Sequence, residues 1–400
     1  MKVALGCQAR FHFFDLARQM HRQGHLQQLY TGYPRFKVKD LPHDKISTFP
    51  WFESTYMALG RLGVNCAAKY MQQMSYSIST TFDSWMERHL SQCDVFQWLS
   101  GAGLRSHKAA RERYGALTIC DRASSHIIYQ QELMSAEFDH CGMKYYDTDA
   151  RIVERELAEY ESSDLIVVPS TFAKRSFVEK NVPDCKVRVV PFGVNLDLFR
   201  PSVKRDEVFR VLFVGQIGLR KGVQHLLKAL GNLHLPQFEL CLAGTVLPEA
   251  KRFLARYEGG FRYLGTIPHT RLRDAYGRAS VFVLPSVEEG FAYVQAEAMA
   301  CGLPVIATTN TGADDLYSDG KEGFIIPIRD PEAIRQKVLL LYKYPELREE
   351  MGRAALRRMR AIRGWNEYGE RMSGFYKEQL ELKAGKDHSY AGASNREQLL

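Results

Sequence analysis

The strongest constraint on this chain is a pattern that starts twice. Short β-branched runs alternate with longer segments of helical period, which is how βαβ units and parallel sheets read in sequence. In the first series Val3-Ala4-Leu5 passes through a glycine into a helical segment over 13–22. Val95–Leu99 then precedes a basic helical segment over 104–114. Runs at 117–120, 165–168 and 187–190 follow, with a polar helix over 150–161 ahead of the second. After a polar stretch at 201–207 the pattern reopens with Val211-Leu212-Phe213-Val214-Gly215, a glycine-bounded loop and a helix over 222–230. Strands at 238–242, 281–284, 305–307 and 324–326 complete the second series. The prediction is α/β: two Rossmann-like, doubly wound domains over 1–200 and 201–364, hinged near 195–207 and facing across a cleft. Active sites of such folds lie at the carboxyl ends of the strands. Aromatic residues at helical spacing over 365–382 predict a helix packing back on the first domain. Beyond 384 the composition turns small and polar, so a disordered tail is expected over 384–400.

A length of 400 residues with 45% hydrophobic content suits two cores better than one. The net charge of +8 points to anionic partners, phosphates or acidic headgroups, with plain solubility as the alternative. The eight cysteines (Cys7, Cys66, Cys93, Cys120, Cys141, Cys185, Cys241, Cys301) are scattered, form no CxxC pair and fall partly inside apolar runs. That usage predicts reduced thiols in a cytoplasmic protein rather than a disulfide framework or a zinc site. The start of the chain has no signal-peptide core, and no later run approaches the ~18 apolar residues of a membrane span. Peripheral contact at the inner membrane face stays open. Tyr33-Pro34-Arg35-Phe36-Lys37-Val38-Lys39 and Phe49-Pro50-Trp51-Phe52 interleave cations and aromatics that could meet lipid headgroups, though ordinary packing is the plainer reading. Arg353, Arg357, Arg358, Arg360 and Arg363 read as a solvated helix face. No zinc finger, RNP motif or repeat array suggests nucleic acid.

The most informative stretch lies between the strands at 281–284 and 305–307. Its second half should be a crossover helix, with Glu289 in the preceding loop and Glu297 about two turns in. Eight helical residues span ~12 Å, more than the ~5–9.5 Å of a glycosidase carboxylate pair. The two carboxylates therefore suit opposite ends of a long ligand. Between them a helix start offers unbonded amides near Gly290, Phe291, Ala292, Tyr293 and Val294, which can hold a pyrophosphate. The bland reading makes Glu288 and Glu289 dipole charges and Glu297 a surface residue.

In context the stretch resembles the E-x7-E signature of the retaining glycosyltransferases of family 4 (glycosyl transferases group 1), which have the two-domain GT-B architecture. Here the signature runs from Glu289 to Glu297 and continues as Ala298-Met299-Ala300-Cys301-Gly302-Leu303-Pro304-Val305-Ile306. The resemblance implies donor-sugar contact for Glu289 and ribose contact for Glu297. The family usually has glycine where Ala292 stands. Phe213-Val214-Gly215-Gln216-Ile217-Gly218-Leu219-Arg220-Lys221-Gly222 is similar to the family's phosphate loop, which implies diphosphate binding by Lys221. The family's usual arginine is replaced by Gln216, and Arg220 could supply that charge from another direction. Cations at a helix start are disfavoured unless an anion sits there, and they stabilise a departing pyrophosphate.

In the first domain Gly6-Cys7-Gln8-Ala9-Arg10-Phe11-His12 follows a strand. The expectation is close ligand approach at Gly6, with Arg10 or His12 touching donor phosphate or acceptor and a helix cap as the alternative. Asp121-Arg122-Ala123-Ser124-Ser125-His126 ends another strand, and similar enzymes carry an Arg-x-Ser-Ser-His run there. That places Arg122 and His126 near the reacting sugar, with an Asp121–Arg122 brace as the alternative. Pro169-Ser170-Thr171-Phe172-Ala173 and the turn from Pro191 to Phe199 also resemble the family and read as structural.

Together these imply retaining transfer from a nucleotide-diphosphate sugar, UDP or GDP foremost with ADP allowed. The acceptor would be a glycan or lipid-linked, in surface polysaccharide or glycoconjugate synthesis. No DxD motif stands at a strand end, so no metal or other cofactor is expected. A nucleotide-sugar 2-epimerase on the same architecture and a non-catalytic sugar-nucleotide-binding subunit are the rivals.

Overall fold

The computed structural model describes residues 1–9, 11–49, 68–202 and 206–397. Two parallel sheets organise them. The first orders its strands β3-β2-β1-β4-β5-β6-β7, where β1 is Val3–Cys7, β2 Leu26–Thr31, β3 Ile46–Thr48, β4 Val95–Leu99, β5 Leu117–Asp121, β6 Leu165–Val168 and β7 Val187–Val189. The second orders β10-β9-β8-β11-β12-β13, where β8 is Phe209–Val214, β9 Phe238–Ala243, β10 Arg262–Tyr263, β11 Val281–Leu284, β12 Val305–Thr308 and β13 Gly323–Ile326. Each sheet reverses strand order once, between β1 and β4 and between β8 and β11. Ligands of open α/β sheets bind beyond the strand ends at such a reversal.

The central strands are mostly apolar because helices cover both sheet faces. Every residue of β6, β11 and β12 is buried. The helix Phe13–Arg22 buries Phe13, Phe14, Leu16, Ala17 and Met20, a stripe of helical period that faces the core. The helix Gly364–Glu397 crosses back to the first half, where Tyr376 donates to Gln97 Oε1 at 2.5 Å and Gln19 donates to Asn366 at 3.2 Å. It runs through 384 to Glu397, where the sequence analysis expects disorder. The segment from 384 holds Ala, Lys, Glu and Arg with no proline to stop a helix already started. No helix among the described residues is long and apolar enough to cross a membrane.

Candidate active site

The two strands beside the reversal in the second sheet carry the site. Beyond β8 the chain turns at Gly215 and runs to Gly222, whose φ of 70° starts the helix Val223–Leu230. A Cβ on Gly222 would lie 1.8 Å from the Pro285 carbonyl oxygen, so only glycine lets this loop meet the loop that follows β11. Val287 N–H donates to the Arg220 carbonyl across the same seam at 2.9 Å.

That seam brings Lys221 and Glu289 into an ion pair, with side chains 16% and 15% exposed. Glu289 is fixed by its own N–H on the Asn310 carbonyl at 3.0 Å. An ammonium has three donors, so a lysine oriented by one carboxylate keeps donors for phosphate oxygens. Just beyond, Gly290, Phe291 and Ala292 are buried and lead into the helix Tyr293–Ala300. Ala292 occupies the N-cap and provides no side-chain hydrogen bond there. Tyr293 turns toward the hinge, its ring stacked 5.2 Å from that of Phe192, and Val294 is half-buried.

Glu297 lies in the middle of that helix, nearer its start than the two turns expected, and is 4% exposed. Tyr276 O–H donates to its Oε2 at 2.9 Å, and His269 Nε2 lies 2.8 Å from its Oε1. Burial, then the neighbouring Glu297 charge, push the Tyr276 phenol well above its ordinary range, so it stays a donor. His269 is 60% exposed, which leaves the Oε1 side of the carboxylate facing the surface. Neither Glu297 nor Glu288 is the surface charge of the bland reading.

Glu288 is the residue that sequence reasoning missed. It is fully buried and reaches across to the first half. Its Oε1 accepts from Ser124 Oγ at 2.7 Å, Ser125 Oγ at 2.7 Å and Ser125 N–H at 3.1 Å. Its Oε2 accepts from Gln130 Nε2 at 2.8 Å and Arg220 Nε at 2.7 Å. Burial would raise its carboxyl, but Arg220 and those hydrogen bonds outweigh burial and hold it down at about 2. Arg220 commits Nε to Glu288 and Nη2 to Ser124 Oγ (3.2 Å), with its side chain 39% exposed, and Gln216 is exposed. Beside this bridge, a Cβ on Gly290 would lie 2.1 Å from the Ala123 carbonyl oxygen, and Ser170 Oγ donates to the Gly290 carbonyl at 2.6 Å. The halves are in van der Waals contact there.

The first half departs most from expectation. Gly6 sits inside β1, where a Cβ would lie 2.6 Å from Met86 Sδ, so its smallness serves helix packing rather than ligand approach. Arg10 lies outside the described residues, as do Pro50, Trp51, Phe52 and Cys66. His12 is 2% exposed, with Nε2 2.9 Å from Asp121 Oδ2 and its ring stacked 4.2 Å from that of Phe192. Asp121 thus pairs with His12 and accepts from Gln97 at 2.7 Å, while Arg122 binds Glu156 (2.7 Å) and Gln130 Oε1 (2.9 Å). Arg122 braces the strand end through Glu156, not Asp121. His126 caps the helix Ile127–His140, its Nδ1 accepting from Ile128 N–H at 3.2 Å. Burial, with Arg122 and Lys180 nearby, lowers its pKa to about 4, so it is neutral at pH 7.

Comparison with known proteins agrees with this geometry. Residues 195–358 match the family model of Glycosyl transferases group 1. The chain is 32% identical to a D-inositol 3-phosphate glycosyltransferase of Paenarthrobacter aurescens over 199 residues, 45% of this chain and 48% of that protein. It spans about half the length of the curated relatives it matches. Among solved structures it superposes on a sucrose-phosphate synthase from Thermosynechococcus elongatus with a TM-score of 0.73, at 20% identity over 96% of this chain and 100% of that one. Anabaena Alr3699/HepE in complex with UDP-glucose gives 0.65, at 14% identity over 94% of this chain and 100% of that one. The fold is thus GT-B, two Rossmann-like α/β domains, and the segment that carries Lys221, Glu289 and Glu297 matches the Glycosyl transferases group 1 model.

Proposed function

We propose that the chain transfers a sugar from a nucleoside diphosphate to an acceptor hydroxyl, with retention at the anomeric carbon and without a divalent cation. The observation that carries this reading is the Lys221–Glu289 pair at the strand reversal, followed along the chain by a helix start and then the buried carboxylate of Glu297. The diphosphate lies on Lys221 and the amides of the helix start. Glu289 accepts from hydroxyls of the sugar, and Glu297 Oε1 accepts from the ribose. As the bond from C1 to the phosphate oxygen breaks, charge grows on the diphosphate where Lys221 and the helix dipole are already aimed. The acceptor oxygen bonds C1 on the same face, and its proton passes to the departing phosphate oxygen. The group 1 match and the relative named as a glycosyltransferase support transfer, and the neighbour solved with UDP-glucose favours a uridine donor. For the acceptor we propose a glycan or lipid-linked sugar met at the cytoplasmic membrane face. Phe36 is 79% exposed there, with Lys37 Nζ 6.0 Å from its ring.

The test is to incubate the chain with UDP-, GDP- and ADP-glucose, an acceptor panel and excess chelator, and to follow the anomeric proton by NMR. An α-donor should give an α-linked product. A β-linked product would remove retention, turnover restored only by added metal would remove metal independence, and an isomerised donor of unchanged mass would indicate the epimerase.

A further inference from the structure

A second cavity opens at the far end of the helix Ile127–His140, whose 14 residues set it ~20 Å from the Glu288 bridge. It encloses about 580 Å³ and takes its walls from both halves: His140 and Cys141 from the first, Lys228, Arg252, Arg256 and Arg329 among others from the second. None of the residues assigned above to the donor lines it. Behind the lining residues Gln224, His225 and Arg329 lies buried Glu137, which accepts from Gln224 Nε2 at 2.7 Å and Arg329 Nε at 2.5 Å and lies 2.9 Å from His225 Nε2. Arg329 reaches it from a backbone φ of 59°, a strained setting for a side-chain-bearing residue.

Glu137 answers one of the four formal cations. Among the described residues Lys228, Arg252 and Arg256 have no carboxylate partner. Arg252 spends a donor on the Cys141 carbonyl, and the other two make no hydrogen bond in the structure. Three unneutralised cations around one cavity repel each other until an anion enters, and guanidinium forks match phosphate oxygens in pairs. A plain ion would still leave one need unmet. Gln224 Oε1 is a buried acceptor with no partner, and its amide nitrogen is already committed to Glu137 and to the Leu219 carbonyl at 3.0 Å. It requires a donor. The Tyr257 ring, also in the wall, offers an apolar face on which a sugar ring can lie.

We infer that this cavity binds a sugar phosphate, with the phosphate on Lys228, Arg252 and Arg256, a hydroxyl on Gln224 Oε1 and the ring against Tyr257. All of these contacts come from the second half, and His140 and Cys141 close the cavity from the first. The inference does not depend on glycosyl transfer.

Calorimetric titration of the full chain, with and without saturating UDP, tests it using glucose 6-phosphate, inorganic phosphate and glucose. Glucose 6-phosphate should bind one to one, at least tenfold tighter than inorganic phosphate, with glucose undetected and UDP not competing. The double variant Lys228→Ala, Arg256→Ala removes two exposed side chains that, among the described residues, make no side-chain hydrogen bond or ion pair, Arg256 lying only over the Tyr257 ring at 5.9 Å. It should therefore fold normally and weaken glucose 6-phosphate at least tenfold while UDP affinity stays. Equal affinity for inorganic phosphate, competition by UDP, or unchanged binding in the double variant would each overturn the site. Failure of UDP itself to bind would count against the proposed function alone.

Discussion

Replacing Glu288 by glutamine perturbs the bridge between the halves without changing its shape. The carboxyl is depressed from its usual 4.5 to about 2, and each tenfold change in acidity is about 1.4 kcal/mol. The environment therefore favours the ionised form by about 3 kcal/mol, an order-of-magnitude figure that agrees with the ~3–5 kcal/mol for breaking a buried ion pair. Glutamine fits neither way round. An amide nitrogen at Oε1 meets the Ser125 N–H, and at Oε2 it meets the nitrogens of Gln130 and Arg220. Ser124, Ser125 and Gln130 belong to the opposite half, so most of the loss falls on closure rather than on either core. Two to three kcal/mol is a factor of roughly 30–150 between closed and open. Small-angle scattering should show expansion of unliganded Glu288→Gln, and kcat/KM should fall by about that factor while thermal stability changes little. Ser125→Ala should lose part of the same energy, with the double variant falling short of additivity. The folded pKa is depressed, so the bridge is fully present above pH 4.5 and weakens only as pH falls toward about 2. Closure of the wild type should be flat from pH 6 to 8. An unchanged scattering profile with kcat/KM within threefold of wild type would refute the reasoning.

Three further outcomes follow from the geometry. Gly290→Ala puts a methyl 2.1 Å from the Ala123 carbonyl oxygen, so turnover should drop at least tenfold for about 1–3 kcal/mol of overpacking, measured as kcat/KM beside a near-unchanged melting curve. Glu297→Gln should weaken UDP about tenfold in a calorimetric titration and leave inorganic pyrophosphate unaffected, since the lost charge faces the ribose end. His126 and His107 are held near 4, chiefly by burial, against an ordinary 6.5, so the fold carries no penalty above 6.5 and loses stability as pH falls from 6.5 towards 4. At pH 5 each costs about 2 kcal/mol, and His126→Asn, which keeps an N-cap acceptor, should flatten the melting temperature between pH 6.5 and 4.

The sequence carried the frame well because parallel strands buried on both faces are predominantly apolar. Val95–Leu99 and Val281-Phe282-Val283-Leu284 coincide with β4 and β11 for that reason. β10, two exposed residues at a sheet edge, left no such trace. The importance of the second half's loops was legible because they resemble known motifs, and the structure pairs Lys221 with Glu289 beside the strand reversal. The first half was not, because its polar residues gain meaning only from partners far along the chain. Gly6 answers to Met86, His12 to Asp121 and Arg122 to Glu156. Glu288 was hardest to read. Alone it is one of two adjacent glutamates at a helix start, and only Ser124, Ser125 and Gln130 of the other half turn it into a bridge. The ties of Arg220 to Glu288 and Ser124 were hidden for the same reason.

The most direct test of the account compares UDP with UMP, which lacks the β-phosphate, by calorimetric titration of the wild type and Lys221→Ala. If the β-phosphate sits on Lys221, the wild type should prefer UDP at least tenfold and the variant should lose that preference while still binding UMP. An equal preference for UDP in both proteins would contradict the placement of the diphosphate and the proposed reaction with it.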